Sequence, residues 1–199
     1  ELSFTNEVPY GHYRIVFPTV RNAGSAVAMQ IAEVAFLAWL PEAGEANPQA
    51  PTLVKDISKL EDLSRPEDAI EASSQNSPVG EEVWLAIDGI QETKYLNYDG
   101  PSSGFTIQLG EGPGVVHGLR LTSANDAPGR DPASYRLEGS SDGILYELIA
   151  KGSVPVFEDR FTTHEIAFAN PEAYGSYRLV FPTLRGGSGQ LMQIGEVEL

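Results

Sequence analysis

Hydrophobic and polar residues alternate in several short segments of this chain, and Gly and Pro separate the segments. The alternation is clear in residues 105–109, 119–121 and 177–181. A period of two places every second side chain on one face of an extended strand, so these segments predict strands with one buried face. Twenty Gly and fourteen Pro in 199 residues supply the turns between them. The pattern therefore predicts an all-β sandwich.

A hairpin and a short helical turn complete this prediction. Residues 135–138 and 145–149 are predicted strands that flank Ser141-Asp142-Gly143. Asp-Gly tolerates positive φ, which a tight hairpin requires. Residues 193–199 are predicted to form the last strand, and residues 81–87 a single helical turn.

The beginning and the end of the chain repeat each other. Residues 1–21 align without a gap on residues 165–185, and twelve of these twenty-one positions are identical. After one skipped residue, residues 29–34 match residues 192–197. Chance does not produce this agreement, so the end of one module occurs twice, about 163 residues apart.

The repeat predicts how the chain is organised. Residues 1–37 are interpreted as the C-terminal part of a preceding repeat or as a strand-donating segment, residues 38–54 as a linker, and residues 55–199 as a complete module. A few strands alone are marginally stable and their edges recruit other chains. The first segment is therefore expected to pack on residues 55–199 or to complete a sheet in another molecule. Because the chain begins inside a strand-like pattern, we expect it to be part of a longer protein.

Composition excludes several classes of function. The net charge of −15 repels a phosphate backbone, so nucleic acid is not an expected partner. The same charge either serves solubility or holds a hard cation such as calcium. The absence of Cys excludes disulfides, thiolate metal sites and Cys nucleophiles, but it is compatible with secretion. No apolar run is long enough to span a bilayer, so membrane insertion is not expected.

Motifs of catalytic sites are missing from the sequence. His12, His117 and His164 do not show the spacing of metal ligands. The Gly-rich residues 110–114 contain Pro and precede no helix, which indicates a hairpin loop rather than a phosphate-binding loop. Among 28 acidic residues no pair stands out for glycoside hydrolysis. We therefore expect a protein that is not an enzyme.

The turns and strands of the complete module resemble a known family. Residues 72–97 hold a small polar run, an Ala-x-Asp-Gly turn, a Thr and an aromatic residue. Residues 130–143 end in Ser-x-Asp-Gly, and residues 177–178 and 194–199 are similar to the family's last two strands. Over residues 70–199 the chain resembles the discoidin-like domains, which include coagulation factor type C domains and bacterial carbohydrate-binding modules. The resemblance implies a jelly-roll β-sandwich of the galactose-binding-domain type.

The resemblance also implies a structural calcium site under the Asp-Gly turn. Many relatives use the Asp carboxylate, loop carbonyls, the Thr hydroxyl and a Glu of the final strand. The matching positions are Asp88, Gln91 through its backbone, Thr93 and Glu196. Ile90 stands where relatives often have Asp, which removes one potential oxygen ligand. Without a metal, Asp88 would form only an Asx turn.

Glycan recognition requires aromatic faces that stack on sugars and fixed polar groups that bind hydroxyls. The candidate ligand-binding residues in loops are Trp84, Tyr95, Asn125, Asp126 and Arg130. Two alternatives remain open. Trp84 and Tyr95 flank the Asp-Gly turn and could belong to the core, and Arg130 could brace its loop by pairing with Asp131.

The sequence therefore predicts a carbohydrate-binding or cell-surface adhesion module of a large, secreted multidomain protein. Its partners would be a glycan or polysaccharide, with calcium as a structural cofactor. The alternative is a structural repeat of an extracellular fibre or adhesin that self-associates into filaments by strand complementation.

Overall fold

The structure is a computed structural model, and it describes Val54 and residues 56–199. In this part of the chain, three short 3₁₀ turns cover Ile57–Lys59, Val83–Ala86 and Pro128–Arg130. The ten strands are β1 Ala69–Ala72, β2 Tyr95–Asn97, β3 Ser103–Gln108, β4 Gly118–Thr122, β5 Ser134–Ser140, β6 Glu147–Ser153, β7 Thr163–Ala167, β8 Ser176–Phe181, β9 Met192–Ile194 and β10 Glu196–Glu198. None of the helical turns within these residues has the length and apolar character needed to cross a membrane.

The predictions for residues 1–37, and for the linker apart from Val54, lie outside the described residues. Self-association through residues 1–37 therefore stays a prediction.

The strands form antiparallel sheets that pack as a sandwich. The largest sheet has five strands in the order β1-β3-β8-β5-β6, and a second sheet has the order β10-β4-β7. β2 and β9 form a separate pair. Most neighbouring strands are distant in sequence, as expected for a jelly roll. The prediction of an all-β sandwich is confirmed.

The central strand β8 shows why alternation predicted this architecture. β8 lies between β3 and β5, so both of its edges are paired. Tyr177, Leu179 and Phe181 are at most 1% exposed, and they point to the same face because side chains alternate along a strand. Burial of each such side chain contributes about 2 kcal/mol to folding. These residues join β3, β4 and β5 side chains in one hydrophobic core.

The hairpin between β5 and β6 is confirmed. The two strands pair antiparallel from Ser134↔Ser153 to Gly139↔Glu147. Gly143 has a φ of 70°, which Gly adopts without a steric cost. The predicted helical turn is also present, at Val83–Ala86.

The last predicted strand, residues 193–199, is divided in two at Gly195. The Gly195 N–H donates to the carbonyl of Thr122 at 2.9 Å. A Cβ at this position would lie 3.0 Å from the Ser123 carbonyl oxygen and 3.1 Å from that of Thr122. The chain therefore passes here from β9, which pairs with β2, to β10, which pairs with β4. This close approach places the first residue of β10, Glu196, beside the Asp-Gly turn.

Candidate functional site

At the Asp-Gly turn, several oxygen atoms lie close together, and there are too few hydrogens to form a hydrogen bond at every contact. Gly89 has a φ of 71°, and Asp88 Oδ1 accepts from the Ile90 N–H at 2.9 Å. The Thr93 hydroxyl oxygen lies 2.9 Å from each carboxylate oxygen of Asp88 and 2.7 Å from the Ile90 carbonyl oxygen. A hydroxyl donates a single hydrogen. Two of these three oxygen contacts therefore have no hydrogen between them.

Glu196 adds a second carboxyl group to the turn. Its Oε1 accepts from the Gly89 N–H at 3.1 Å, and its side chain lies within hydrogen-bonding contact of Asp88. Burial, together with the neighbouring Asp88, raises the pKa of Glu196 to about 8. Without a cation, Glu196 is therefore largely protonated at neutral pH.

These residues fit a calcium ion. Carboxylate, hydroxyl and carbonyl oxygens are the ligands that calcium prefers, and Asp88, Glu196, Thr93 and Ile90 supply all three types. Within the described residues there is no group of three or more His, Cys, Asp or Glu that could hold a metal. An ion here would therefore rely on two carboxyl groups and several neutral oxygens.

Gln91 makes a side-chain contact that the sequence did not indicate. Its Nε2 donates to the Phe161 carbonyl at 2.8 Å. This bond fixes the Asp-Gly turn against the loop between β6 and β7. Its role as a metal ligand through the backbone stays a prediction.

A second polar cluster lies in residues 123–131, between β4 and β5, where a buried Lys binds two of the predicted residues. Lys94 is only 6% exposed, and its ammonium group donates to Asn125 Oδ1 at 3.0 Å and to Asp126 Oδ1 at 2.9 Å. Glu81 Oε1 lies 3.5 Å from the same nitrogen. The hydrogen bond from Lys94, with a smaller contribution from Arg130, lowers the pKa of Asp126. Asp126 is therefore held as a carboxylate.

Arg160 braces the same loop from the other side. It forms a bidentate pair with the buried Asp131, at 2.9 Å and 2.6 Å, and also donates to the Asp126 carbonyl at 3.1 Å. Paired guanidinium and carboxylate groups in this geometry are strong and directional. The alternative that Arg130 braces the loop by pairing with Asp131 is therefore wrong. In the described part of the chain, the Arg130 side chain makes no hydrogen bond or ion pair.

Main-chain contacts complete the support of residues 123–131. Gln193 Nε2 donates to the Asp126 carbonyl at 2.5 Å, and the Gly186 N–H donates to the Gly129 carbonyl at 2.7 Å. Ala127 has a left-handed φ of 37°. A conformation of this kind costs about 1 kcal/mol or more and persists where surrounding bonds enforce it. The loop is therefore held in a single, strained conformation.

The two predicted aromatic residues have different positions. Trp84 is 50% exposed on the 3₁₀ turn that follows Glu81, so its ring is available to a ligand. Tyr95 is completely buried, and its hydroxyl accepts from Asn97 Nδ2 at 2.9 Å. The structure thus places Tyr95 in the core, where its ring offers no face to a sugar.

Sequence reasoning missed Lys94, Arg160, Gln193 and Phe161. The first three act on residues at least 29 positions away, and no local pattern connects such distant positions. Phe161 is 37% exposed and has a φ of 58°, an outlier for a bulky residue. Phe161 directly follows Arg160, which holds residues 123–131, and its carbonyl accepts the hydrogen bond from Gln91. It adds a second exposed aromatic ring to this region.

Several solved structures that share this fold are carbohydrate-binding modules. A family 32 module of Clostridium perfringens, CpGH89CBM32-5, in complex with GalNAc-beta-1,3-galactose, has a TM-score of 0.58 at 21% identity and covers 69% of this chain and 98% of its own. The discoidin-like fold is thereby shown. The family 32 module of C. perfringens NanJ, in complex with galactose, has a TM-score of 0.56 at 17% identity over 69% of this chain and 96% of its own.

The same discoidin-like fold occurs in a chitosan-binding module from a Paenibacillus chitosanase/glucanase. Its TM-score is 0.55 at 18% identity, over 69% of this chain and 97% of that one. The match extends over almost the full length of all three neighbours. At these identities the likeness concerns the fold.

One curated protein shares sequence with the chain. The Arabidopsis thaliana protein named peptide-N(4)-(N-acetyl-beta-glucosaminyl)asparagine amidase is 32% identical over an alignment of 165 residues, and the match covers 74% of this chain. The chain spans only 23% of the length of that protein. No protein-family model matches the chain.

Proposed function

We propose that this chain is a non-catalytic module of a larger extracellular protein and that it binds glycan at residues 123–131. One observation carries this proposal. The buried Lys94 and the partly buried Arg160 hold the loop in place, yet the Asn125 amide nitrogen and the Arg130 guanidinium have no partner within the described residues. A loop that is rigid and also presents unused hydrogen-bond donors is prepared for a ligand.

The chemistry of this surface suits a sugar. Sugar hydroxyls accept hydrogen bonds from an amide or a guanidinium and donate to a carboxylate such as Asp126. The exposed ring of Trp84 offers an apolar face for the C–H surface of a pyranose. The similar modules are described in complex with galactose and GalNAc-beta-1,3-galactose, which supports the same class of ligand here.

Calcium would serve the fold rather than contact the glycan. We infer that Asp88, Thr93 and Glu196 would hold it, together with loop carbonyls that include Ile90 and, as the family resemblance implies, Gln91. When bound, the ion would supply the positive charge that the two adjoining carboxyl groups lack. The Asp-Gly turn would then be fixed in the conformation that Gly89 allows.

We assign no catalytic role to the described residues. Glycoside hydrolases hold two carboxyl groups at least about 5 Å apart, with the sugar between them. Asp88 and Glu196 are instead within hydrogen-bonding contact of each other.

The proposal is tested by affinity electrophoresis and calorimetry of the full chain with soluble polysaccharides. Asn125→Ala and Arg130→Ala are each expected to weaken binding about tenfold, because each removes a hydrogen bond to the ligand. Lys151→Ala, an exposed residue on β6, is the matched control and should bind like the wild type. If the wild type binds no polysaccharide, or if both loop variants bind unchanged, the proposal is wrong.

A further inference from the structure

The position of Lys94 is fixed by the fold rather than by its own side chain. It precedes β2, whose residues Tyr95 and Leu96 pair with Ile194 and Gln193 of β9. The N–H of Leu96 also donates to the Glu81 carbonyl at 3.0 Å. The main chain next to Lys94 is therefore fixed, and its buried side chain is held by contacts of the ammonium group with Glu81, Asn125 and Asp126.

This placement decides how Asn125 is oriented. Lys94 donates to Asn125 Oδ1 at 3.0 Å, and an ammonium group can only donate. The amide oxygen must therefore face Lys94, which directs the amide nitrogen and its two hydrogens away from the protein interior. Asn125 is exposed, so these hydrogens are available to a ligand.

The same ammonium group also orients the Asp126 carboxylate. Its Oδ1 accepts from Lys94 at 2.9 Å, and the Gln193 side chain also bonds the carboxyl group. The Asp126 side chain is still 51% exposed, so the carboxylate can accept further hydrogen bonds from a ligand. One buried Lys thus sets a donor, Asn125 Nδ2, beside an acceptor, the Asp126 carboxylate. A pair of hydroxyls on a sugar ring can satisfy both, because each hydroxyl donates and accepts.

The charged groups around the loop include more carboxylates than cations. Lys94 and Arg130 face the carboxylates of Glu81 and Asp126. Arg160 is paired with Asp131, and the charge of Asp159 also acts on it. Four carboxylates thus stand against three cations, so an anionic polymer would gain nothing from this surface and would be repelled by a protein of net charge −15.

We propose that Lys94 is a positioning residue, which presents Asn125 as a donor and Asp126 as an acceptor so that the site selects an uncharged glycan. The inference rests on the proposed glycan-binding function and adds the charge class of the ligand and the residue that sets it. Lys94 acts through its neighbours and does not contact the sugar.

The test compares the full chain and its Lys94→Met variant on three probes: galactomannan, which is neutral, alginate, which is anionic, and chitosan, which is cationic. The wild type should bind galactomannan most tightly. Lys94→Met should weaken that binding by about tenfold or more, because Asn125 loses its orientation. It also leaves Glu81 and Asp126 uncompensated, so the ratio of chitosan to galactomannan affinity should rise.

Two further variants separate positioning from a general loss of structure. Lys94→Arg retains a charged donor and should move the affinity ratio back toward the wild-type value. Asn125→Asp keeps an acceptor for Lys94 but removes the amide hydrogens. Because Asn125 is exposed, the Asn125→Asp variant should fold. It should lose galactomannan binding even if Lys94→Met fails to fold.

The outcomes distinguish this inference from the function on which it rests. A wild-type chain that binds none of the probes contradicts the proposed function. A wild type that binds galactomannan, while Lys94→Met or Asn125→Asp binds it equally well, overturns the inference alone. Tightest binding of alginate or chitosan by the wild type also overturns it.

Discussion

The Asp-Gly turn and residues 123–131 are both rich in carboxyl groups, but only the second region contains its own cations. At the turn, Asp88 and Glu196 adjoin each other, and no Lys or Arg of the described residues forms an ion pair with either of them. In the second region, Lys94 pairs with Asp126, and Arg160 pairs with Asp131. The two regions are neighbours, because Glu196 lies opposite Thr122, the last residue of β4.

This difference indicates two functions for similar residues. Buried carboxyl groups without a cation are unstable as anions, so they either keep a proton or recruit a metal ion. Carboxylates that already pair with a Lys or Arg side chain do not need a metal ion. Their loop can offer its remaining hydrogen-bond donors to a neutral ligand. On this basis we propose calcium as the ligand of the first region and glycan as the ligand of the second.

The largest expected effect on stability comes from removing Arg160, the cation that pairs with Asp131 in the second region. Arg160→Met leaves the buried Asp131 without a partner, and loss of one member of a buried pair costs about 3 kcal/mol or more. Urea denaturation should show this decrease in the free energy of unfolding. Lys59→Met removes an exposed pair with Asp56 and should have a much smaller effect, because solvent screens such a pair. Equal effects of the two variants would show that residues 123–131 do not depend on Arg160.

Calcium should stabilise the first region by a somewhat smaller amount. At a concentration about 100 times its Kd, an ion that binds only the folded state adds about 2.7 kcal/mol to the free energy of unfolding. Urea denaturation in calcium and in EDTA measures this difference. Glu196→Gln removes a carboxylate ligand and should abolish it. A wild type with the same stability in both solutions would exclude the metal site.

The pH dependence of stability without calcium follows from the raised pKa of Glu196. The unfolded carboxyl group loses its proton near its ordinary pKa of 4.5, whereas the folded one retains it up to a pKa of about 8. The folded state therefore binds more protons between these values, and the free energy of unfolding should fall as pH rises from about 4.5 to about 8. Denaturation in EDTA across this range checks the direction, and the decline should be smaller in Glu196→Gln. An increase in stability over this range that is specific to Glu196 would contradict the assignment.

The smallest effect on stability is expected at Arg130. Its side chain has no partner in the described residues, so Arg130→Ala should change the free energy of unfolding by less than about 0.5 kcal/mol. Thermal or urea denaturation can establish this, while glycan binding by the same variant should weaken about tenfold. A destabilisation as large as that of Arg160→Met would mean that Arg130 supports the loop instead of reading a ligand.

Local patterns were sufficient for the strands and for the Asp-Gly turn. Alternating residues predicted β3, β4, β5 and β8, because burial on one face follows directly from a period of two. The same reasoning extended the last strand across Gly195, since it could not detect that β4 approaches the chain there. The location of Asp88 and Thr93 within one turn also required no long-range information.

Aromatic residues mark a limit of such reasoning. Trp84 and Tyr95 lie on either side of the same turn, and both were predicted to bind ligand. The structure exposes Trp84 and buries Tyr95, because β2 pairs with β9 inside the sandwich and the 3₁₀ turn lies at its surface. Sequence spacing alone does not distinguish these two outcomes.

The sequence by itself determined the fold class and the Asp-Gly turn, because both depend on residues that are close along the chain. It also revealed the repeat, because similar segments can be aligned at any separation. The tertiary structure alone decided which charges meet. Asp131 pairs with Arg160 and not with the adjacent Arg130, and Lys94 reaches Asn125 across 31 positions. Electrostatic pairing depends on distance in space, and the packing of sheets against each other sets that distance.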